Sequence, residues 1–378
     1  MSNPRIIAAA WGVLEGERPR PAGSNARLGP HGATVRVPLL RLTDEEGVTG
    51  FGHCRATPEE TRALIGRRLD EVFAPGEGIA EPWLAFDFPL WDLAAHRAGL
   101  PVYALAAAEA ALHGVPLLVP CYDTSLYFDD LHLPDDRAAA ALIAAEAREG
   151  YARGHRAFKV KVGRGARHMP PEEGTRRDIA VVRAVRAAVG PEAPLMLDAN
   201  NGYTLNLAKR VLEATAGCGI FWLEEAFHED EVLYRDLKAW LAERGLATLI
   251  ADGEGPADPR LPDWAREGVV DVVQYDIFER GFTRWLALGR RLDAWGVRSA
   301  PHHYGGFYGN FAAGHLAGAV RGFAFVEWDE AHVPGIDTSA YAIVEGQVAI
   351  PQAPGFGLEL DEERFAHAVA GGGYRCAS

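Results

Sequence analysis

The chain has 378 residues, room for one large domain with a smaller companion or for two ordinary domains. Hydrophobic residues make up 48% and charged residues 24%, the balance of a soluble globular enzyme rather than of a disordered or fibrous chain. With 38 basic against 52 acidic side chains the net charge is -14, which excludes a generally basic surface for nucleic acid or anionic membrane.

The N-terminal third reads as strands followed by helices. Residues 6–14, 33–43 and 47–52 are β-rich, and the last two runs are joined by an acidic turn ending at Gly47. Residues 15–32 between the first two, rich in Pro, Gly, Arg and Asn, read as a long loop of the kind that forms lids. Residues 57–111 carry a helical pattern. This order predicts a separate α+β unit over residues 1–116.

From Leu117 strands and helices alternate. Strand-like runs fall at 117–126, 157–162, 195–197, 220–223, 247–251, 269–275, 298–300 and 323–327. Helical stretches separate them, so the strands should be parallel, and eight is the number that closes a (β/α)8 barrel over residues 117–340. No G-x-G-x-x-G or P-loop opens any of the helices, which disfavours a nucleotide-binding open sheet. The tail, 341–378, has no place left in a barrel and is expected to return to the first unit.

The second strand carries Lys159 and Lys161, which share a face because side chains alternate along a strand. Taken alone, this pattern favours an edge strand with solvated lysines. On a buried strand, desolvation and mutual repulsion would lower a lysine pKa and make it a base. The other strand ends decide between the two. They carry Asp198, the pair Glu224 and Glu225, Asp252 and Glu254, Asp276, the pair His302 and His303, and Glu327. A purely structural barrel needs no ionisable group at the end of seven successive strands, and burying them together is costly without compensation. A divalent metal supplies it. Asp198, Glu224 and Glu254 end neighbouring strands and offer hard oxygens, which suits Mg2+, or Mn2+, better than zinc. Asp252 has the same parity as Glu254 and remains a rival ligand.

The order of these residues resembles the enolase superfamily and, within it, the mandelate racemase-like group, over essentially the whole chain. The resemblance implies an N-terminal α+β capping domain, a modified (β/α)8 barrel and a C-terminal segment returning to the cap. It assigns Lys161 in Lys159-Val160-Lys161 as a base tuned by Lys159, with Asp198, Glu224 and Glu254 as metal ligands. A His–Asp dyad falls on His302 and Asp276, and a strand-eight glutamate on Glu327. Ala226 stands where relatives carry a proline, Asp252-Gly253-Glu254 is an uncommon form of the fifth-strand ligand, and the adjacent His303 shares the dyad's neighbourhood.

The implied reaction begins with removal of the proton alpha to a carboxylate. Lys161 takes that proton, His302 serves the opposite face, and a protonated Glu327 would donate to the substrate carboxylate. If His302 protonates a leaving β-hydroxyl, an aldonate or aldarate is dehydrated to a 2-keto-3-deoxy acid. If it returns a proton to carbon, the enzyme is a racemase or epimerase of a 2-hydroxy acid. The pairing of K-x-K with His–Asp favours the lyase, and the absence of a lysine on strand six speaks against a cycloisomerase or dipeptide epimerase. A non-catalytic binding protein on the same fold is the remaining alternative. Asn200, His53, Arg27 and His303 are the expected substrate contacts, with other polar residues of the 15–32 stretch, His31 among them, as a weaker pointer to a polyol. The resemblance also implies a homo-oligomer. Four scattered cysteines without pair spacing suggest reduced thiols and a cytoplasmic protein. Neither a secretory leader nor a membrane-spanning run is evident.

Overall fold

A computed structural model describes residues 3–107, 114 and 116–378. The last residues of the helical stretch expected over 57–111 therefore fall outside the described residues.

The N-terminal unit is an antiparallel sheet whose strands Ile6–Ala22, Gly32–Asp44 and Thr49–His53 pair in sequence order. Residues 15–22 continue the first strand instead of forming a loop. Leu14, Gly16, Arg18 and Ala22 are buried while Glu15, Glu17, Pro19 and Pro21 are exposed, so the segment has strand periodicity with arginine on its inward face. Arg18 is tolerated there because Asp329 accepts from it through both carboxylate oxygens, at 2.9 and 2.7 Å. Helix Asp87–Ala98 packs closely on strand Thr49–His53. Gly50 allows this approach, since a Cβ there would lie 2.2 Å from the Leu93 backbone nitrogen. His53 is thereby carried to the edge that faces the barrel.

The barrel contains eight parallel strands: Leu117–Leu126, Phe158–Lys161, Leu195–Asp198, Ile220–Glu224, Leu249–Asp252, Val272–Val273, Arg298–Ser299 and Val326–Trp328. Each pairs with the next through the seventh, and the eighth pairs with the first, with Val326 opposite Cys121. The seventh meets the eighth segment through the Ser299–Phe323 bridge. Inside, Tyr122, Met196, Trp222, Ala251, Val272 and Ala300 form a packed layer beneath the charged strand ends. Barrel strands buried on both faces, such as Phe158–Lys161 and Leu195–Asp198, and amphipathic helices such as Leu205–Ala214, with Ala208, Val211 and Leu212 inward, place this core where the sequence pattern requires it.

Two boundaries differ from expectation. The sixth-strand helix begins at Ile277 rather than near 282, because Asp276 caps it, and Gly281 at φ 78° then kinks it. The tail reaches the cap by two steps. Hairpin strands Ala342–Val344 and Gln347–Ile350 stay on the barrel, the latter antiparallel to the start of strand one. Gly355 and Phe356 then meet the cap, through a bridge to Pro101 and a hydrogen bond from Phe356 N to Asp92. Helix Glu362–Ala370 and strand Tyr374–Ala377 complete the return, the strand pairing with Ala8 to Trp11.

Candidate active site

Strand register gathers the charged ends. Lys161 lies beside Asp198, and Asp198 beside Glu224, in consecutive parallel pairings. Glu254 follows two residues after the fifth strand ends at Asp252. One oxygen from each of Asp198, Glu224 and Glu254 lies within 4.8 Å of the others. Asp252 is not part of this group. Its carboxylate turns to the Tyr234 hydroxyl and to the Gly253 backbone N–H.

The three carboxylates fit a hard divalent cation. All donors are oxygen, and two of the three side chains are fully buried. Burial, helped by Asp198 and Glu254, pushes the Glu224 carboxyl up despite the opposing Lys159 charge. A cation at this point would relieve that cost. Glu224 is also oriented by Trp222 Nε1 at 3.1 Å and Gln274 Nε2 at 2.9 Å.

Both lysines reach the cluster, but as charged partners. Lys159 Nζ lies 2.8 Å from Glu224 and 2.9 Å from Glu327, and Lys161 Nζ is hydrogen-bonded to Asp198. A lowered lysine pKa was expected. Burial does act in that direction, yet Asp198 outweighs it and the repulsion from Lys159, so Lys161 is held above its usual value. Glu327 likewise differs from the protonated acid anticipated. Burial opposes its charge, but Lys159, His302 and His303 hold it well below the usual range. Its oxygens accept from Thr124 Oγ1 at 2.7 Å and from the backbone N–H groups of His303 and Tyr304.

At the other end of the carboxylate group stands His302. Asp276 lies 3.0 Å from its Nδ1, and Glu254 lies 3.2 Å from its Nε2. Although burial works against the cation, Glu254, Glu327 and Asp276 raise the imidazole to about 10. The same Asp276 accepts from the N–H groups of Phe278 and Glu279, so one residue both caps a helix and orients the histidine.

The expected substrate contacts divide. His53 and His303 both line a cavity of about 620 Å³ between the cap edge and the barrel mouth. His303 is fully buried with neither ring nitrogen hydrogen-bonded. Asn200 donates to Glu225 at 3.0 Å and to Glu254 at 3.3 Å, tying Glu225 to one of the three metal-ligand candidates. Arg27 sits on the rim, 3.6 Å from Glu225 and 46% exposed, and does not line the cavity.

Several neighbours had no clear sequence signal. Glu225 does not point to the surrounding helices. Its φ of 42° swings it toward Asn200 and Asn201, and burial followed by Glu254 repulsion pushes its carboxyl up. Tyr127 stacks on Tyr304 at 5.0 Å, and Lys161 Nζ lies 5.1 Å from the Tyr127 ring centre. His31, held through Nδ1 by the Gly23 carbonyl at 3.0 Å, meets Tyr127 edge-on at 4.8 Å. Tyr127 and Tyr304 are marked by no local pattern, since their contacts with each other and with His31 join three separate segments.

A cap seated on an eight-stranded barrel, with lysine, carboxylate and His–Asp groups at successive strand ends, defines a mandelate racemase-like member of the enolase superfamily. Residues 142–364 match the enolase C-terminal domain-like family, and the chain belongs to it. A D-galactarolactone cycloisomerase from Agrobacterium fabrum is 30% identical over 86% of this chain and 89% of its own. Galacturonate dehydratase from a Geobacillus species, complexed with D-galacturonate and 5-keto-4-deoxy-D-galacturonate, is 50% identical, with a TM-score of 0.95 over 99% of both chains. A mutant of that dehydratase complexed with Mg superposes with a TM-score of 0.96 at 50% identity, covering 99% of this chain and 97% of its own. The chain is an enzyme of the lyase type, with isomerases among its relatives.

Proposed function

We propose that this enzyme dehydrates a hexuronate, D-galacturonate or a close stereoisomer, to the keto-deoxy acid in the presence of Mg2+. The observation that carries this reading is the placement of Lys161 and His302. They flank the same carboxylate trio, the lysine at Asp198 and the histidine at Glu254. Likeness to the galacturonate dehydratase over nearly the full chain at 50% identity supports a uronate over the aldonates or aldarates that the motifs alone suggested.

Mg2+ held by Asp198, Glu224 and Glu254 would supply the positive charge that stabilises the enediolate of the substrate carboxylate. Lys161, an ammonium while it rests on Asp198, first gives up its own proton to solvent and then, as the free amine, takes the proton from the carbon next to that carboxylate. Lys159 stays bound between Glu224 and Glu327 and offers a fixed positive charge beside the developing anion. His302, oriented by Asp276, gives its proton to the hydroxyl on the following carbon, which leaves as water. Glu327, ionised, fixes Lys159 and the loop N–H groups of His303 and Tyr304 rather than donating a proton. Asn200 holds Glu254 in place beside His302. Racemisation would use the same two groups without loss of hydroxide, and the product distinguishes the two.

The test is incubation of the purified protein and Mg2+ with D-galacturonate, other hexuronates, aldonates and aldarates, scoring keto-acid formation. A keto-deoxy acid from a hexuronate is expected. Turnover confined to aldonates or aldarates, or epimer formation without keto acid, would refute the assignment.

A further inference from the structure

The metal end of the site is closed on its Lys161 side and open on its His302 side. The Tyr127–Tyr304 stack and the His31 ring roof the lysine. Beyond Tyr304, the cavity of about 620 Å³ includes Asp276, which holds His302 Nδ1, and His303, the next residue in the chain, and runs out between cap and barrel. Pockets of about 300–1,000 Å³ accommodate whole drug-sized molecules. None of the carboxylate trio, nor either lysine, lines this cavity. A single hexuronate with its carboxylate end on the trio would therefore place only its far carbons there and leave most of the volume unfilled.

The lining mixes arginines with the carboxylates of Glu60, Asp87, Asp276 and Glu279, and two of its arginines make no ion pair among the described residues. Arg55, exposed at the mouth, makes no side-chain ion pair or hydrogen bond among the described residues. The Nε of Arg280 is buried without a hydrogen-bond partner, while its guanidinium lies 4.3 Å over the Tyr275 ring. The rings of His53 and Phe278, 4.3 Å apart, add an aromatic wall to the same cavity. Unpaired arginines in a cavity with an aromatic wall suit a sugar that bears a carboxylate.

We propose that the enzyme also dehydrates the non-reducing-terminal residue of a hexuronate disaccharide, with the second uronate seated in this cavity against Arg55 and Arg280. The inference rests on the sugar-acid reading above and extends its substrate class. Chemically, a substituent at C1 leaves the reacting atoms untouched. Lys161 takes the C5 proton, the C4–O bond breaks, and the hydroxyl leaves as water with the proton from His302. In a free hexuronate, opening of the hemiacetal frees the C5 oxygen and the enol becomes the 5-keto acid. A glycosidic bond at C1 keeps that oxygen in the ring. The product then retains a C4=C5 double bond conjugated with the carboxylate, one water lighter than the substrate, and no other reactant is needed.

The experiment compares D-galacturonate with α-1,4-linked digalacturonate, using wild-type enzyme and Mg2+. The disaccharide should yield a short-wavelength ultraviolet chromophore absent from the substrate and a product of intact disaccharide mass less one water. The Arg55→Ala, Arg280→Ala double variant should lower kcat/KM for the disaccharide relative to the monosaccharide at least tenfold. Turnover of galacturonate with no chromophore from the disaccharide overturns this inference and leaves the proposed function standing. An unchanged selectivity ratio in the double variant overturns the cavity assignment. No turnover of any monosaccharide hexuronate removes both.

Discussion

The ammonium of Lys161 is hydrogen-bonded to Asp198, a carboxylate of the proposed metal trio. Held in this way Lys161 is an ammonium and becomes a base only once it has lost its proton, so a divalent cation and the charged Lys161 compete for the same oxygen-rich corner. Lys161→Gln should therefore tighten Mg2+ binding by at least about tenfold, because like charges about 4 Å apart at the effective dielectric of a protein repel by about 4 kcal/mol and about 1.4 kcal/mol already corresponds to tenfold. The same variant should lose about 10²–10⁴-fold in dehydration through loss of the base. Calorimetric titration with Mg2+ checks the first effect and keto-acid formation the second. Weaker Mg2+ binding in the variant would show that Lys161 and the metal do not compete.

His302 and Lys161 should be separable. His302→Asn removes the acid that assists the leaving hydroxyl but leaves Lys161 in place. Exchange of the α-proton with deuterated solvent should persist, while keto-acid formation falls by about 10²–10³-fold. Loss of both to the same extent would place His302 in proton abstraction as well. Asp276→Asn should follow the same pattern more weakly, since Asp276 acts through the imidazole it orients.

Much of this site was legible because barrel strands are local. Lys159 and Lys161, Asp198, Glu224 and Glu254 each stand at the end of a short apolar run, and chain order alone gave their neighbours around the barrel. What escaped depended on distant partners. Arg18 looks like a loop residue until Asp329, brought in from the eighth strand's end, satisfies it inside a strand. Glu225 could not be placed from strand parity, because its positive φ breaks the alternation that parity assumes. The charge states of Lys161 and Glu327 also required the folded geometry, since both are set by opposite charges from other strands outweighing burial. The cavity is assembled from the cap edge and two barrel loops, which no local pattern announces.

Arg18 and Asp329 form a buried two-bond clamp between the cap's long strand and the end of the barrel. Removing one partner strands a buried charge, and such losses cost about 3–5 kcal/mol. Arg18→Ala should lower unfolding stability by that amount, measured by chemical denaturation. Arg18→Met with Asp329→Leu should recover most of it. A cost below about 1 kcal/mol for Arg18→Ala would mean the clamp is not closed in solution.

Asp87 joins cap to barrel by accepting from Thr283 N at 2.9 Å and Thr283 Oγ1 at 2.6 Å. Burial raises its carboxyl from 3.8 to about 6, against the effect of these hydrogen bonds. A raised folded-state value means the folded protein binds the proton more tightly than the unfolded chain. The resulting stability is fully present below about pH 4 and is lost as pH rises through about 6, amounting to roughly 3 kcal/mol. The difference in stability between wild type and Asp87→Asn should therefore fall over that window in wild type's disfavour. A flat difference curve would contradict the raised value.

Metal binding should also stabilise the fold, because the carboxylate trio repels itself when empty of a cation. At about 100 times its dissociation constant a ligand specific for the folded state adds about 2.7 kcal/mol. Thermal midpoints should rise with Mg2+ in wild type and rise less in Asp198→Asn, read by circular dichroism. Equal shifts in both proteins would place the binding elsewhere.

The most direct test of the central claim follows one hydrogen. D-galacturonate labelled with deuterium at C5, the carbon next to the carboxylate, is incubated with the enzyme and Mg2+ in ordinary water, and the product is analysed by mass spectrometry and NMR. The account predicts a 5-keto-4-deoxy acid that has lost the label, formed more slowly than from unlabelled substrate and abolished by Lys161→Gln. A product that retains the deuterium, or that forms at the wild-type rate in the variant, would contradict proton abstraction by Lys161.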